Sequence, residues 1–485
     1  MQVQGIGVLE HLRLPGGKSV EQAIADLKSN PQIAFAEPNY IYQPTVVSDD
    51  PEYTSGRLWG MYSADAPSTA GPAGTTNAFG SAAERAWADN VTGSRNIAVG
   101  ILDTGILIDH PDLVKNIWVN PGEKPDGIDN DGNGYIDDIH GWDFVNNDAS
   151  LFDSGEHPHG THVAGTIGAE GSNSIGVSGV NWAVSMISAK MIDTTMRGTV
   201  VSAIRALDYL TDLKTNYGIS IVATNNSWGG VAYSRLLHEA IIRGANADIL
   251  FVAGAGNSAN NNDVSAFFPA SINTTGGTAT VPPASYDAVI SVAAINDTGG
   301  MSWFSSYGAT TVDLGAPGSS IVSTVQGGYY GWSGTSMATP HVTGAAALYA
   351  STQTSPIAAS AIRSAILNGA TPTASLAGHT VTGGRLNVHE TIRRSSFIDI
   401  EYSSYQPTHS AWITVASSAS NLDVNTIESL TVDVHSTTEI TPLRITLTET
   451  GISSGVFKGQ IQLAPGAALP GNPLQVTHND IITAS

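Results

Sequence analysis

Between residues 96 and 300 short apolar runs alternate with stretches in which apolar residues recur at helical spacing. The runs Asn96–Gly105, Val184–Ile192, Ile219–Asn225, Asp248–Ala253 and Ala288–Ala294 carry few polar side chains, as strands buried on both faces do. Helical patterns lie near Thr199–Leu213 and Ser234–Ala247. This alternation predicts an α/β fold: a mostly parallel sheet with helices on both faces. Another amphipathic helix is expected at Ser355–Leu367, ahead of Asn368-Gly369.

The flanks read differently. Ile6–Leu14 predicts a strand, broken by Pro15-Gly16-Gly17. Ser19 then opens a helix with Gln22 at capping-box spacing and an apolar face of Ala23, Ile24 and Leu27. Asn30-Pro31 ends it, and Ile33–Tyr42 returns as a strand, making residues 1–47 a small α+β unit. A polar linker runs from Gln43 to about Gly56. Near Ser395 the chain turns to short alternating runs of Thr, Ser, Ile and Val: Phe397–Tyr402, Ala411–Ala416, Ser429–Val434, Leu443–Thr448 and Val456–Leu463. These predict an all-β, sandwich-like module over 395–485, with no catalytic constellation in it. The boundaries expected are therefore 1–47, 48–394 and 395–485.

Composition narrows the function. Lys plus Arg number 20 against 42 Asp plus Glu, a formal net charge of -22, which disfavours a nucleic-acid partner. Only 13% of residues are charged, so Ser, Thr, Asn and Gly must cover much of the surface. The absence of cysteine rules out disulfides and thiolate metal sites. No apolar run approaches the ~18 residues of a membrane span, and the N-terminus lacks a signal-peptide pattern.

Three segments carry chemistry. Asp103 ends a buried strand in Ile101-Leu102-Asp103-Thr104-Gly105; the alternative is a turn-forming aspartate. His159 and His162 stand at a helix start in His159-Gly160-Thr161-His162. Ser336, in Gly334-Thr335-Ser336-Met337-Ala338-Thr339-Pro340, is placed at the start of a buried helix with Pro340 in its first turn. There it is either a helix cap or a nucleophile among unpaired N–H groups. Asp, His and Ser in this order form an orienter, base and nucleophile set. A metal site on His159 and His162 is the competing chemistry, though no Glu stands at the zincin spacing.

Residues 120–144 form an acidic Gly/Asn loop. Asp129, Asp131, Asn133, Tyr135 and Asp137 fall on the alternating positions of a calcium loop, with Gly134 at the turn. His140 stands where an EF-hand has its closing Glu, so Asp137 or Asp138 is expected to supply that carboxylate. The alternative is a solvated acidic loop.

The three catalytic segments together resemble the signature segments of the subtilisin-like serine protease family, over about Asp50 to His389. The resemblance implies a subtilisin-like fold and a secreted or cell-surface serine endopeptidase acting on proteins and peptides. It implies that Asp103 orients the imidazole, His159 is general base and acid, and Ser336 attacks the carbonyl. Asn257 in Ala255-Gly256-Asn257-Ser258 matches the oxyanion-hole side chain. Ser227-Trp228-Gly229 and Gly254-Ala255-Gly256 match the walls of the main specificity pocket, for which large apolar or aromatic side chains are expected. It further implies structural Ca2+ held by Asp112, Asn173 and the carbonyls of Gly171, Ile175 and Val177, with the 129–138 loop resembling a second calcium loop. Residues 1–47 resemble the second half of an inhibitory propeptide that acts on its own chain. A first half and a signal peptide are then expected upstream, and the module after 395 is expected to continue beyond Ser485. Thr343 stands where a smaller or aliphatic residue is commoner, with an effect on packing alone expected. A catalytically silent, subtilisin-fold surface or adhesion protein is the alternative function.

Overall fold

The structure is a computed structural model. It describes residues 47–63 and 78–393 (without 154, 354 and 355), parts of residues 1–46, and the strands and a few neighbouring residues between 397 and 484. The chain divides into two compact units, residues 1–46 and 47–485.

In the first unit β1 (Gln2–Val3) pairs antiparallel with β2 (Gly7–Val8), and α1 spans Val20–Lys28 with Ala23 buried. The Ser19 cap lies outside the described residues. Of the strand expected over Ile33–Tyr42 only Ile33 and Ala36 are described, and neither is in a strand.

The second unit opens with α2 (Pro51–Thr54) and α3 (Ala83–Ala88). Its large sheet is built from β3 (Gly93–Asp103), β4 (Gly141–Asp143), β5 (Ala183–Lys190), β6 (Ile221–Asn226), β7 (Leu250–Gly254), β8 (Val289–Ile295) and β9 (Leu314–Pro317). Between these strands lie α4 (His159–Gly168), α5 (Val200–Thr215) and α6 (Arg235–Asn246). A hairpin follows, β10 (Ile321–Val325) and β11 (Gly328–Trp332), then α7 (Thr335–Ser351) and α8 (Ala359–Asn368). Two short strands, β12 (Thr371–Pro372) and β13 (Gly384–Arg385), and α9 (Val388–Arg393) complete it. The order across the sheet is β12-β13-β9-β8-β7-β6-β3-β5-β4, parallel except for β12 against β13.

Alternate side chains divide between the two faces, as the two-residue period of a strand requires. Val99 and Ile101 of β3 and Leu250 and Val252 of β7 join α4 and α7 in one core; Ala98, Leu102, Phe251 and Ala253 join α5 and α6 in the other. The expected layers are present. Helices α5 and α6 start where their caps put them: the Thr199 and Ser234 side chains accept the N–H groups of Ser202 and Leu237. Helix α8 starts later than expected, at Ala359.

Helix α7 is buried nearly all round, which explains its uncharged, Ala-rich sequence. One expectation is corrected here. The helix begins at Thr335, so Pro340 lies inside it rather than in the first turn. A proline there removes the hydrogen bond to the carbonyl four residues back, that of Ser336. Ser227 Oγ donates to that carbonyl instead, at 2.9 Å.

The C-terminal strands are β14 (Phe397–Ile400), β15 (Ser410–Ala416), β16 (Ser429–Ser436), β17 (Leu443–Glu449), β18 (Val456–Pro465), β19 (Leu474–Val476) and β20 (Ile482–Ala484). They pair antiparallel in the order β14-β15-β18-β17-β16-β20, with β19 parallel to β18. Ile413, Val415, Val432, Val434, Leu447, Phe457 and Ile461 form their core. This is the all-β module read from the sequence, with β19 and β20 added.

Candidate active site

Asp103 ends β3, and its side chain is fully buried. His159 is the first residue of α4, and its Nδ1 lies 2.7 Å from Asp103 Oδ1, which also accepts the Thr104 N–H at 2.8 Å. The Thr104 hydroxyl donates to the His157 carbonyl (2.8 Å) and accepts the Gly160 N–H (3.0 Å), tying the start of α4 to the strand end. Burial disfavours a charged imidazole, but the charge and hydrogen bond of Asp103 outweigh it. The His159 pKa lies above the ordinary histidine value.

Ser336 is the second residue of α7 and shares a cleft of about 480 Å³ with His159 and Asn257. Its hydroxyl donates to the Ser227 carbonyl at 3.2 Å. The two serines are thus bonded reciprocally, each hydroxyl to the other's carbonyl. Behind them Thr343 Oγ1 donates to Asn225 Oδ1 (2.9 Å), and Asn225 Nδ2 donates to Ser227 Oγ (2.9 Å). Thr343 therefore does more than pack: it starts a buried chain of hydrogen bonds that ends on the Ser336 carbonyl.

Asn257 follows β7. Its Oδ1 accepts the Thr335 N–H (2.8 Å) and hydroxyl (3.0 Å), which fixes which end of the amide is oxygen. Nδ2 is left on the cleft side. A side chain built on Gly334 would come within 3.6 Å of both Asn257 Nδ2 and the Ser336 nitrogen. Glycine thus keeps open a space flanked by two donors. The Ser336 N–H is one of the unpaired groups at a helix start.

Ser227, Trp228 and Gly229 line the cleft, joined by Ile192 and Met196. Gly254, Ala255 and Gly256 do not; they are buried behind it, Gly254 against Thr335 and Gly256 against Ser306 and Phe267. Sequence reasoning missed Trp332, at the end of β11. Its indole stacks on His162 (centroids 4.6 Å), His157 (5.2 Å) and His159 (6.3 Å). The mostly β-branched run Ile321–Val325 followed by Gly327-Gly328 is a hairpin signal that could have found it. His162 does not join His159 at a metal site. It is fully buried, with Nε2 bonded to the carbonyls of Ile321 and Tyr330 at 3.0 Å each, and burial pushes its pKa down to about 4.

The residues expected at the bridging calcium site come together. Asp112 Oδ1 accepts Asn173 Nδ2 (2.8 Å) and Oδ2 accepts the Val177 N–H (3.0 Å). Gly171 and Ile175 lie in the same loop. Burial raises the Asp112 pKa to about 6, against these hydrogen bonds. Asp50 was missed. The N–H groups of Ser172, Asn173 and Ser174 converge on its carboxylate at 2.9–3.0 Å, turned inward by left-handed Ser172 and Ser174.

In the acidic loop the grouping differs from expectation. Carboxylate oxygens of Glu123, Asp129 and Asp131 lie within 4.8 Å of one another. Glu123 was not foreseen, because it stands upstream of the alternating pattern. Asn133 Nδ2 bonds to both Asp131 and Asp138. Asp138 is buried under Tyr209 Oη (2.6 Å) and Asn120 (2.8 Å), with a pKa raised by burial to about 6. Asp137 accepts the N–H groups of Asp126 and Gly127, and Tyr135 packs edge-on to Trp142. Neither Asp137 nor Asp138 joins the close carboxylate group; Glu123 does.

A family model described as "Subtilase family" matches residues 94–390. The chain is 32% identical over 334 residues to "Thermophilic serine proteinase" of Bacillus sp. (strain AK1), covering 69% of this chain and 67% of that protein. It is 36% identical over 256 residues to "Subtilisin-like protease 1" of Plasmodium berghei (strain Anka), covering 51% of this chain and 41% of that one. It is 33% identical over 312 residues to "Thermitase" of Thermoactinomyces vulgaris, covering 64% of this chain and 93% of that one.

Proposed function

The chain belongs to the subtilase family and is a serine endopeptidase, and we propose that Asp103, His159 and Ser336 perform its chemistry. One observation carries this reading: the short Asp103–His159 bond at the wall of the cleft that also holds Ser336 and two oxyanion donors. Asp103 holds the proton on Nδ1, leaving Nε2 free. A rotation of the Ser336 side chain away from the Ser227 carbonyl brings its hydroxyl toward Nε2, a bond that tightens when substrate binds. Oγ attacks the peptide carbonyl while His159 takes the proton. The oxyanion is held by the Ser336 N–H and Asn257 Nδ2. His159 then protonates the leaving amine, and water releases the acyl group by the reverse sequence. Labelling of Ser336 by a fluorophosphonate probe, together with peptide hydrolysis, tests the reading; an unlabelled, folded protein would sink it.

Asn257→Ala is expected to lower kcat by about 10²–10³ with a smaller change in KM, the cost known for the oxyanion asparagine of a subtilisin. Steady-state kinetics at saturating substrate check this, and an unchanged kcat would reduce Asn257 to a prop for Thr335.

The preference proposed is for large apolar or aromatic side chains, supported by Trp228, Ile192 and Met196 on the cleft. Equal turnover of peptides with phenylalanine or lysine before the cut would contradict this.

Residues 1–47 are proposed to be part of an inhibitory propeptide, 48–394 the peptidase and 395–485 an accessory module of a secreted protein. The cut expected in the linker between about Gln43 and Ser55 is proposed to fall before Ser48, because Ser48 and Asp50 are buried in hydrogen bonds to Ser178 and the 172–174 loop. N-terminal sequencing of the mature enzyme decides. Among the described residues no helix is long and apolar enough to cross a membrane.

Structural calcium is proposed at two places. Asp112, Asn173 and the carbonyls of Gly171, Ile175 and Val177 would hold one ion, with Asp50 alongside; Glu123, Asp129 and Asp131 would hold another. The all-oxygen donor sets fit a hard cation, and the ion takes no part in peptide hydrolysis. A ligand bound only by the folded state stabilises it by roughly 2.7 kcal/mol at a hundredfold excess over Kd. Chelation is therefore expected to lower Tm, while rates taken immediately after chelation stay near normal. A melt indifferent to calcium would remove both sites.

A further inference from the structure

Lys190 ends β5 with its side chain 1% exposed, one of the largest fully buried side chains of the described residues. Its Nζ meets three carboxylates: Asp143 at 2.7 Å, Asp153 at 3.3 Å, and Glu156. A buried ammonium is costly unless paired, and here three anions surround it. The position is equally specific. Lys190 is the register partner of Asp103 on one side of β5 and of Asp143 on the other. Asp143 is fixed in turn by the N–H groups of Val145 (2.6 Å) and Asn146 (3.0 Å). Asp153 and Glu156 belong to a segment whose described residues are in neither strand nor helix and which reaches His159 three residues after Glu156. Glu156 also accepts the Asp153 N–H at 2.9 Å, closing that segment on itself.

We infer that Lys190 is a positioning residue for catalysis, an internal cation that fixes the 153–158 segment, and with it His159, against the strand that carries Asp103. The segment is held at two points: its first half by Lys190, its second by the Thr104 hydroxyl on the His157 carbonyl. Asp103 and Lys190 are neighbours across the sheet, so one strand pair sets both the partner of the imidazole and the path of the chain that delivers it. This rests on the reading of His159 as general base. Displacing a reacting group by about 1 Å costs on the order of 10²-fold in rate.

The test compares Lys190→Ala, Glu156→Gln and the double variant in the full chain. Each single change is expected to lower kcat by about 10- to 100-fold, with KM within about twofold, and the double variant to be no worse than the worse single one, because both cut the same tie. The 47%-exposed Asp153 side chain leaves one side of the site open to solvent. Methylammonium is therefore expected to raise kcat of Lys190→Ala several-fold, and the bulkier tetramethylammonium is not. A folded Lys190→Ala with unaltered kcat overturns the inference, as does a loss that methylammonium leaves untouched, which would make it the effect of a cavity. If Lys190→Ala does not fold, Glu156→Gln decides by the same kcat–KM split. Failure of the general-base reading shows separately, as absent fluorophosphonate labelling of Ser336 in the unaltered enzyme.

Discussion

Replacing Ser336 by alanine is expected to lower kcat by about 10⁶, leaving a remnant of roughly 10³–10⁴ over the uncatalysed reaction, magnitudes known for a subtilisin. The proposed oxyanion donors, the Ser336 backbone N–H and Asn257 Nδ2, survive the substitution, and they would account for the remnant. The fold should survive too. The Ser336 side chain makes one hydrogen bond, to the Ser227 carbonyl, whereas the Ser336 carbonyl keeps its bond from Ser227 Oγ. Tm is therefore expected to move little while activity disappears. Single-turnover kinetics with an activated ester, beside a melt of the same preparation, make the comparison. Activity above a few per cent would show that another group is the nucleophile.

Asp103→Asn is expected to lower kcat by about 10⁴ with KM nearly unchanged. The amide can present its N–H to His159 Nδ1 and so favour the tautomer with the proton on the wrong nitrogen. The pH profile should move as well. In the native enzyme burial depresses the His159 pKa, and the charge of Asp103 more than reverses this, so the value ends above the ordinary one. Catalysis needs the neutral base, so kcat/KM falls as pH drops through that raised value. Without the Asp103 charge, burial acts unopposed. The pKa drops, and the acid limb of the residual activity should shift to lower pH. An acid limb that stays in place would mean that another group titrates there.

What could be read from the chain and what could not divide by range. Asp103, His159, Ser336 and Asn257 each stand beside a local pattern: a strand end, a helix start, a glycine-rich turn. The helix starts after Thr199 and Ser234 were legible because the apolar period begins there. Pro340 was misplaced because proline usually marks a first turn, and only the structure shows Ser227 meeting the carbonyl that it strands. Glu123 escaped because it reaches the acidic loop from outside the alternating run. Trp332, Asp50 and Lys190 act on residues far away in sequence, and no local periodicity encodes such a partner. Strands β19 and β20 are too short to show a period of two.

Asp50 has a consequence for how long the enzyme survives its own company. Its partners, Ser172, Asn173 and Ser174, lie 122 to 124 residues further along the chain, so with the proposed cut before Ser48 the new chain end acts as a clasp on a distant loop. Chain ends are where proteolysis starts. A cut a few residues past Ser48 would leave three backbone N–H groups of that loop without their acceptor. The loop would loosen, and the next cut would fall there. Working lifetime is then governed by the fraying rate of the first few residues rather than by the large core, a kinetic limit rather than an equilibrium one. Asp50→Ala should shorten the half-life of concentrated enzyme far more than its initial rate, and Ser336→Ala protein carrying the same change should outlast it.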